Sequence, residues 1–432
     1  MMRMLATARR SSCETIAAAL SSRCIRHYVL AHVGKSLLWS AADMLGIYAL
    51  IRYGERTPSA AGLIFMSALL WNAGCDVLVG GWVDRCEVRR RPMQPLMGLA
   101  WALIGMTFVA SLTVGSPHGA WILLFAVLFR TAFAVFDVPH NAMMARLSAT
   151  PAQGLCIARL RSVAAGVSMV IVGVVAVPLL EQQVEGRLVA VRWLSALAML
   201  ASLLMLPFLL DLPRLERTPR AAQVPLRDAQ GDRGSMRFAP LCVTVLLGTL
   251  ALTALRKALP QLDIFQGHGL SGCLLAATIG RLLATAVSGG IISGMGCARA
   301  LSVSYMLCAL LVLVLPAVFG SGELRVGAIL LVVGLIGVFQ ELGNISSWTA
   351  LIEITASAPA CHWRVGTRIG TFSMMGKVAS GVGGLLFGLF LSSGQTPSSA
   401  LVGATMLWHL CLLVAPMAWL AGTLPHWQVR AR

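Results

Sequence analysis

Twelve apolar runs, each long enough to cross a bilayer, restrict the fold of this chain more than any other feature. They lie near residues 28–51, 60–83, 93–115, 119–143, 162–181, 189–210, 239–256, 268–295, 299–319, 326–350, 369–393 and 399–421, bounded by charges or Gly/Pro clusters. A membrane-spanning helix needs about 20 mainly apolar residues. Charged residues make up only 12% of the chain and hydrophobic ones 57%, where a soluble domain carries about 25% charged residues. The mean hydropathy is +0.80 over the whole length. One buried core under a polar coat cannot have this composition. A disordered chain, a collagen-like chain and an ordinary cytosolic enzyme are excluded, and an all-α membrane protein with twelve transmembrane helices is expected, its partner the lipid bilayer.

The runs fall into two sets of six around one polar segment, Asp211 to Arg237, which contains Pro213, Pro219 and Pro225. The expected organisation is a tail (1–27), a six-helix half (28–210), a linker (211–238), a second six-helix half (239–421) and a short tail (422–432). Lys and Arg give the orientation, because they accumulate in cytoplasmic loops. With a cytoplasmic N-terminus, 23 of them fall inside and 7 outside, and Lys35, Arg130, Arg281 and Lys377 lie within spans. Both termini are expected in the cytoplasm of a cell whose plasma membrane holds the chain. The net charge of +17 sits between the spans, so it reflects topology and implies no nucleic-acid partner. The Arg- and Ser-rich start has the composition of a transit peptide, and equally that of a tail held inside by its charges. We adopt the second reading. Eleven scattered cysteines form no CxxC pair, so neither a metal site nor a disulfide framework is expected. Six plus six helices with both ends inside resembles the plan of the major facilitator superfamily, in which inverted repeats nest in each half.

Seven ionisable residues fall deep in these runs: Asp43, Asp76, Arg130, Asp137, Arg281, Glu341 and Lys377. Each unpaired charge at mid-membrane costs about 2.5–3.5 kcal/mol. Facing lipid, the set would outweigh the net stability of a typical protein. They are therefore expected to face an internal cavity and one another, and four acids against three bases suits a paired network. Arg130, Asp137 and His140 share one face of helix 4, and Asp76 on helix 2 lies at the depth of Asp137. Two carboxylates at one depth suit cation or proton coupling, since like charges raise one pKa. The alternative is an Asp–Arg bridge that only holds helices together. Arg281 and Glu341 fit a pair between helices 8 and 10. In the loop GGWVDRCEVRRRP, Gly80, Asp84, Arg85 and Arg90 form a turn whose acid can bridge to a neighbouring helix end. It resembles the GxxxDRxGRR loop of the superfamily, and we read it as a cytoplasmic gating loop.

Four segments resemble the glycoside–pentoside–hexuronide:cation symporters, the melibiose-carrier group: WNAGCDVLVGGWVDRCEVRRRP, FDVPHNAMMARL, CIARLRSVAAG and RVGTRIGTFSMMGKVASGVGGLLFG. They occur in both halves and in that family's order. The resemblance implies alternating access and cation-coupled transport, often of sugars. It matches Asp76 and Asp137 to the cation site, Arg159 to an arginine near the sugar and Lys377 to the helix 11 lysine. The chain also departs from the pattern. Asn72 stands where the first helix 2 acid is expected, and Asn141 replaces an aromatic that stacks on sugar. Asp43 lies about a turn from the aligned position of a sugar-binding acid. Two carboxylates and an amide make a poor sodium cage, which favours protons over sodium as the coupling ion, and no cofactor is implied.

The expected function is proton-coupled symport of a small polar solute such as a sugar or uronate by alternating access. Asp76, Asp137, Asn72 and Lys377 would couple the cation; Arg130, Arg159, His140, Asn141, Asp43, Arg281 and Glu341 would line the solute cavity. A monomer suffices for this. Few tyrosines and many methionines leave open a carrier of lysolipids or other amphiphiles, or an exporter of a hydrophobic metabolite. A transport-dead scaffold would share the fold. A membrane enzyme would need a metal or nucleophile cluster, and the eight histidines form none.

Overall fold

In the computed structural model the described residues are 22–52, 54–114, 120–148, 150–181, 187–217, 237–258, 269–319, 325–356, 364–393 and 411–425. They form twelve helices: α1 (Arg23–Arg52), α2 (Pro58–Val88), α3 (Gln94–Thr113), α4 (Ala120–Leu147), α5 (Pro151–Glu181), α6 (Arg187–Arg217), α7 (Phe238–Ala258), α8 (Gly269–Met295), α9 (Cys297–Phe319), α10 (Arg325–Ala356), α11 (Val365–Ser393) and α12 (Cys411–Pro425). Ten are long and apolar enough to cross a membrane by length and composition. The span expected at 399–421 lies partly outside the described residues. Residues 1–21 of the expected tail and 218–236 of the linker lie outside them, while the last part of that tail already belongs to α1 from Arg23 and the first part of the linker continues α6 to Arg217.

Local chemistry sets the helix ends. Thr57 caps α2, its hydroxyl accepting a hydrogen bond from the Ala60 amide, and Pro58 occupies the first turn, where a missing N–H costs nothing. At its other end Arg90 adopts the left-handed conformation at φ 51°, the residue type notwithstanding. A single residue, Gly296 at φ 80°, turns α8 into α9. Large apolar side chains such as Leu78, Met106, Val174 and Leu188 lie outside the bundle, as lipid-facing residues must.

Each set of six returns to the face where it began. Asp211 at the end of α6 accepts from Arg23 and lies 2.6 Å from His27 Nδ1, both at the start of α1. Ser302 near the start of α9 donates to the Gly422 carbonyl at the end of α12. The longest seam joins the sets: α2 and α11 run antiparallel in close contact from Gly62, against Gly384 and Gly388, to Gly80, against Gly366. A Cβ at Gly366, Gly370 or Gly388 would strike the backbone carbonyl of Gly80, Asp76 or Pro58. Small residues allow such approach where no hydrophobic force drives helices together. Substituting Gly370 by Val should therefore destabilise the bundle by about 1–3 kcal/mol, read as a lower melting temperature in detergent. Gly376→Ala, where a Cβ meets open space, should leave it unchanged.

Candidate functional site

The seam positions the charges. Lys377 on α11 reaches across it to α2, its Nζ 2.6 Å from Asp76 Oδ1, and lies 3.6 Å from Asp137 Oδ2 on α4. The two carboxylates thus flank one ammonium instead of facing each other directly. Lys35 on α1 neutralises Asp137 from the other side, with Nζ 2.5 Å from Asp137 Oδ1 and 2.5 Å from Asn141 Oδ1. The Asn141 amide returns a hydrogen bond to the same Asp137 oxygen at 3.0 Å. Asn72, one turn before Asp76, donates to Asp76 Oδ1 at 3.4 Å and to the Arg130 carbonyl at 3.1 Å. Asp76 and Asn72 are wholly buried, and Lys35, Lys377, Asp137 and Asn141 nearly so.

Arg130 does not bridge to Asp137, although the two share a helix face. Its guanidinium lies 5.1 Å from the Trp39 ring, 5.3 Å from Phe129 and 6.0 Å from Phe65. A second arginine, Arg161, enters the network instead: Nη1 donates to Tyr28 Oη at 2.7 Å and to Asn141 Oδ1 at 2.8 Å, and the guanidinium lies 4.0 Å over Trp348. Both ends of the bundle carry polar contacts between the two sets of helices. Towards one end, Asp43 on α1 pairs with Lys257 at 3.1 Å and Arg256 at 3.3 Å on α7. Towards the other, Arg159 on α5 donates to the Thr285 and Ala286 carbonyls of α8 at 3.1 and 3.4 Å. There too Asp84 caps α11, accepting from the Gly366 amide at 2.7 Å, the Thr367 amide at 2.9 Å and the Thr367 hydroxyl at 2.5 Å. Glu341 on α10 accepts from Arg281 of α8 and from Ser162 of α5, each at 2.5 Å.

Several sequence-derived residues lie elsewhere. His140 is fully buried, stacked at 4.3 Å on Tyr28, with Nε2 3.0 Å from the Tyr28 carbonyl oxygen; it packs against the aromatic cluster and does not touch the acids. Arg85 and Arg90 are exposed at the end of α2. The near balance of acids and bases also fails. Around Asp43, Asp76, Asp137 and Glu341, Lys35, Arg161, Arg256 and Lys257 join Arg130, Arg281 and Lys377, seven bases to four acids; Arg159 and Asp84 lie towards one end, and Asp211 pairs with Arg23 and His27. Apolar runs alone leave Arg159, Arg161, Arg256 and Lys257 at or beyond their edges. The helices extend further than those runs, and α5 begins at Pro151, not near 162. The signal for this is Thr150 followed by Pro151: a hydroxyl that caps the helix by accepting from the Gln153 amide, and a proline at the first helical position.

Breaking one side of a buried ion pair costs about 3–5 kcal/mol because the other charge is left unpaired. Lys35→Met should lower the unfolding temperature by the equivalent of that loss. Combining it with Asp137→Asn should recover more than half, a coupling read by a double-mutant cycle.

The whole bundle resembles solved transporters. The human organic anion transporter MFSD10 (TETRAN) aligns at a TM-score of 0.58 and 16% identity, over 92% of this chain and 99% of that one. A point mutant of the nucleoside transporter NupG aligns at 0.61 and 14%, over 94% and 100%. A bacterial homologue of the iron transporter ferroportin, in its outward-facing state, aligns at 0.68 and 13%, over 95% and 100%. At such identities the likeness speaks for the fold. No curated protein matches the chain. The family model described as MFS/sugar transport protein matches residues 55–424, from the start of α2 into the last turn of α12. The chain is a multi-pass membrane transporter and not an enzyme: it belongs to the MFS/sugar transport protein family, as its resemblance to the melibiose-carrier group implies.

Proposed function

We propose that the protein is a proton-coupled symporter of a small polar solute, such as a sugar or uronate, working by alternating access in the plasma membrane. The observation that carries this reading is the single ammonium of Lys377, from the second set of helices, set between two carboxylates of the first. A proton arriving at Asp76 cancels the charge that holds Lys377 at 2.6 Å. The ammonium is then left to Asp137, which Lys35 already neutralises. The α2–α11 seam loses its ionic clasp, and the loaded carrier reorients. Asn72 supplies an amide where a second carboxylate would help build a sodium cage, which leaves few oxygen ligands for sodium and supports the proton.

The Asp43 pairs with Arg256 and Lys257 serve as one gate, and the Asp84 cap and the Arg159 contacts as the other. Each is a charge-assisted hydrogen bond of about 1.5–3 kcal/mol, small enough for solute binding to break and large enough to hold a closed end. In vesicles containing the purified chain, adding a transported sugar or uronate should alkalinise the external medium as protons enter with it. Asp137→Asn should abolish that signal. Labelled solute that crosses with no proton movement in the unsubstituted protein would overturn the coupling.

A further inference from the structure

We propose that Arg130 is an anion-binding residue and that the solute is a small organic carboxylate; this deepens the carrier reading above and rests on it. Arg130 is only 4% exposed, yet its guanidinium makes no hydrogen bond and no ion pair among the described residues, and Nη1 is fully enclosed without an acceptor. Its neighbours are rings. Trp39 is shared with Lys377, whose Nζ lies 5.6 Å from it, and Phe65 with Lys257 at 5.0 Å. Three cations therefore surround two aromatic rings. The acids of this region have other partners, Asp43 in Lys257 and Arg256, and Asp76 Oδ1 in Lys377; Asp76 Oδ2 is buried without a hydrogen bond, and neither acid pairs with Arg130. Arg130 is the cation left over.

A ring face attracts a guanidinium but does not replace the acceptors it loses on burial. A buried base with five N–H donors and no acceptor needs an acceptor from outside the chain. Arg161 adds to the imbalance, since its partners Tyr28 and Asn141 are neutral. A neutral sugar would leave this excess of positive charge standing, and an anion would reduce it. The planar fork of one guanidinium matches the two oxygens of a carboxylate. Trp39 and Trp348, both only half-buried and each faced by one of these arginines, offer flat surfaces to the body of such a solute.

The test compares matched solutes on the purified full chain by calorimetry, with flux of the same labelled compounds measured in vesicles. The pairs are glucuronate and glucose, phenylacetate and phenylacetamide, benzoate and benzamide. At least one carboxylate should bind about tenfold or more tightly than its neutral twin. Arg130→Gln should remove that preference without lowering the melting temperature of the empty protein, because it removes an unpaired buried charge; a purely structural arginine would lower it. Arg130→Lys, which keeps the charge but not the fork, should retain part of the preference and serves where the Gln variant fails to fold. If no carboxylate outbinds its twin, or if both variants bind it as the parent does, the proposal is overturned. A carboxylate that binds through Arg130 but does not cross would leave the anion site standing and sink the carrier reading. A neutral twin that crosses while its carboxylate is ignored would do the reverse.

Discussion

Charge in an apolar bundle must find a counter-charge or a hydrogen bond inside the protein, and the Lys377–Asp76 pair shows how much of this structure follows from that need. The pair spans α2 and α11, and these helices touch backbone to backbone through Gly366, Gly370 and Gly388. Without that approach the ammonium would not lie 2.6 Å from one carboxylate and 3.6 Å from the other. One lysine shared between two acids leaves one negative charge unmatched, and Lys35 on α1 supplies the balance. Asn141 then joins Lys35 to Arg161, and Arg161 reaches Tyr28. The network is thus a consequence of close helix packing as much as of the charges themselves.

The family model and the fold agree with what hydropathy and motif order imply, for a physical reason. Apolar runs of spanning length leave helices as the way to satisfy the backbone, and the number of runs is visible in one dimension. The site is legible in part. Asp76, Asp137 and Lys377 stand out because each interrupts an apolar run, and Asp84 because a plain basic turn explains the arginines but not the acid. Lys35 interrupts a run as well, yet its partner lies 102 residues away, and no spacing rule reaches that far. Arg161, Arg256 and Lys257 are hidden by a different effect. A hydropathy boundary is drawn at the first charge, so a buried base in the first or last turns of a helix is assigned to a loop. The apparent balance of acids and bases comes from that boundary, and correcting it reveals the positive excess.

His140 marks the opposite error. A histidine one turn from a buried acid invites a place beside that acid in the solute cavity, but helical spacing gives only the face and not the neighbour. Tyr28 of α1 stacks on the ring at 4.3 Å and Phe208 of α6 meets it edge-on at 4.8 Å. Together with Phe136 they make an aromatic cluster that ties α1, α4 and α6 into one body. This cluster is apolar where the Lys35–Asp137–Lys377 network is ionic, and both are anchored on α4.

That division bears on how such a bundle could move. Contacts within the first six helices include ring stacks and close apolar packing, which change little with a proton or a solute, and also ion pairs such as Lys35 with Asp137 and Arg23 with Asp211. Contacts between the two sets include polar ones: Lys377 with Asp76, Asp43 with Lys257, Asp84 with Thr367, Arg159 with Thr285, and Glu341 with Ser162. Apolar contacts join them too, in the cluster of Ile47, Phe65, Leu69 and Phe387 and in the glycine seam of α2 and α11, which runs through the level of the central ion pair. A solute can shift an equilibrium only by binding one arrangement better than another, so the useful interactions are those its charge can compete with. Polar contacts of this kind join the two sets at the centre and at both ends, and an uncompensated arginine stands beside the central one. Because Lys377 and Asp76 join the two sets at the level of the glycine seam, a single charge arriving at the centre competes with a contact between the sets and not only with one inside either of them.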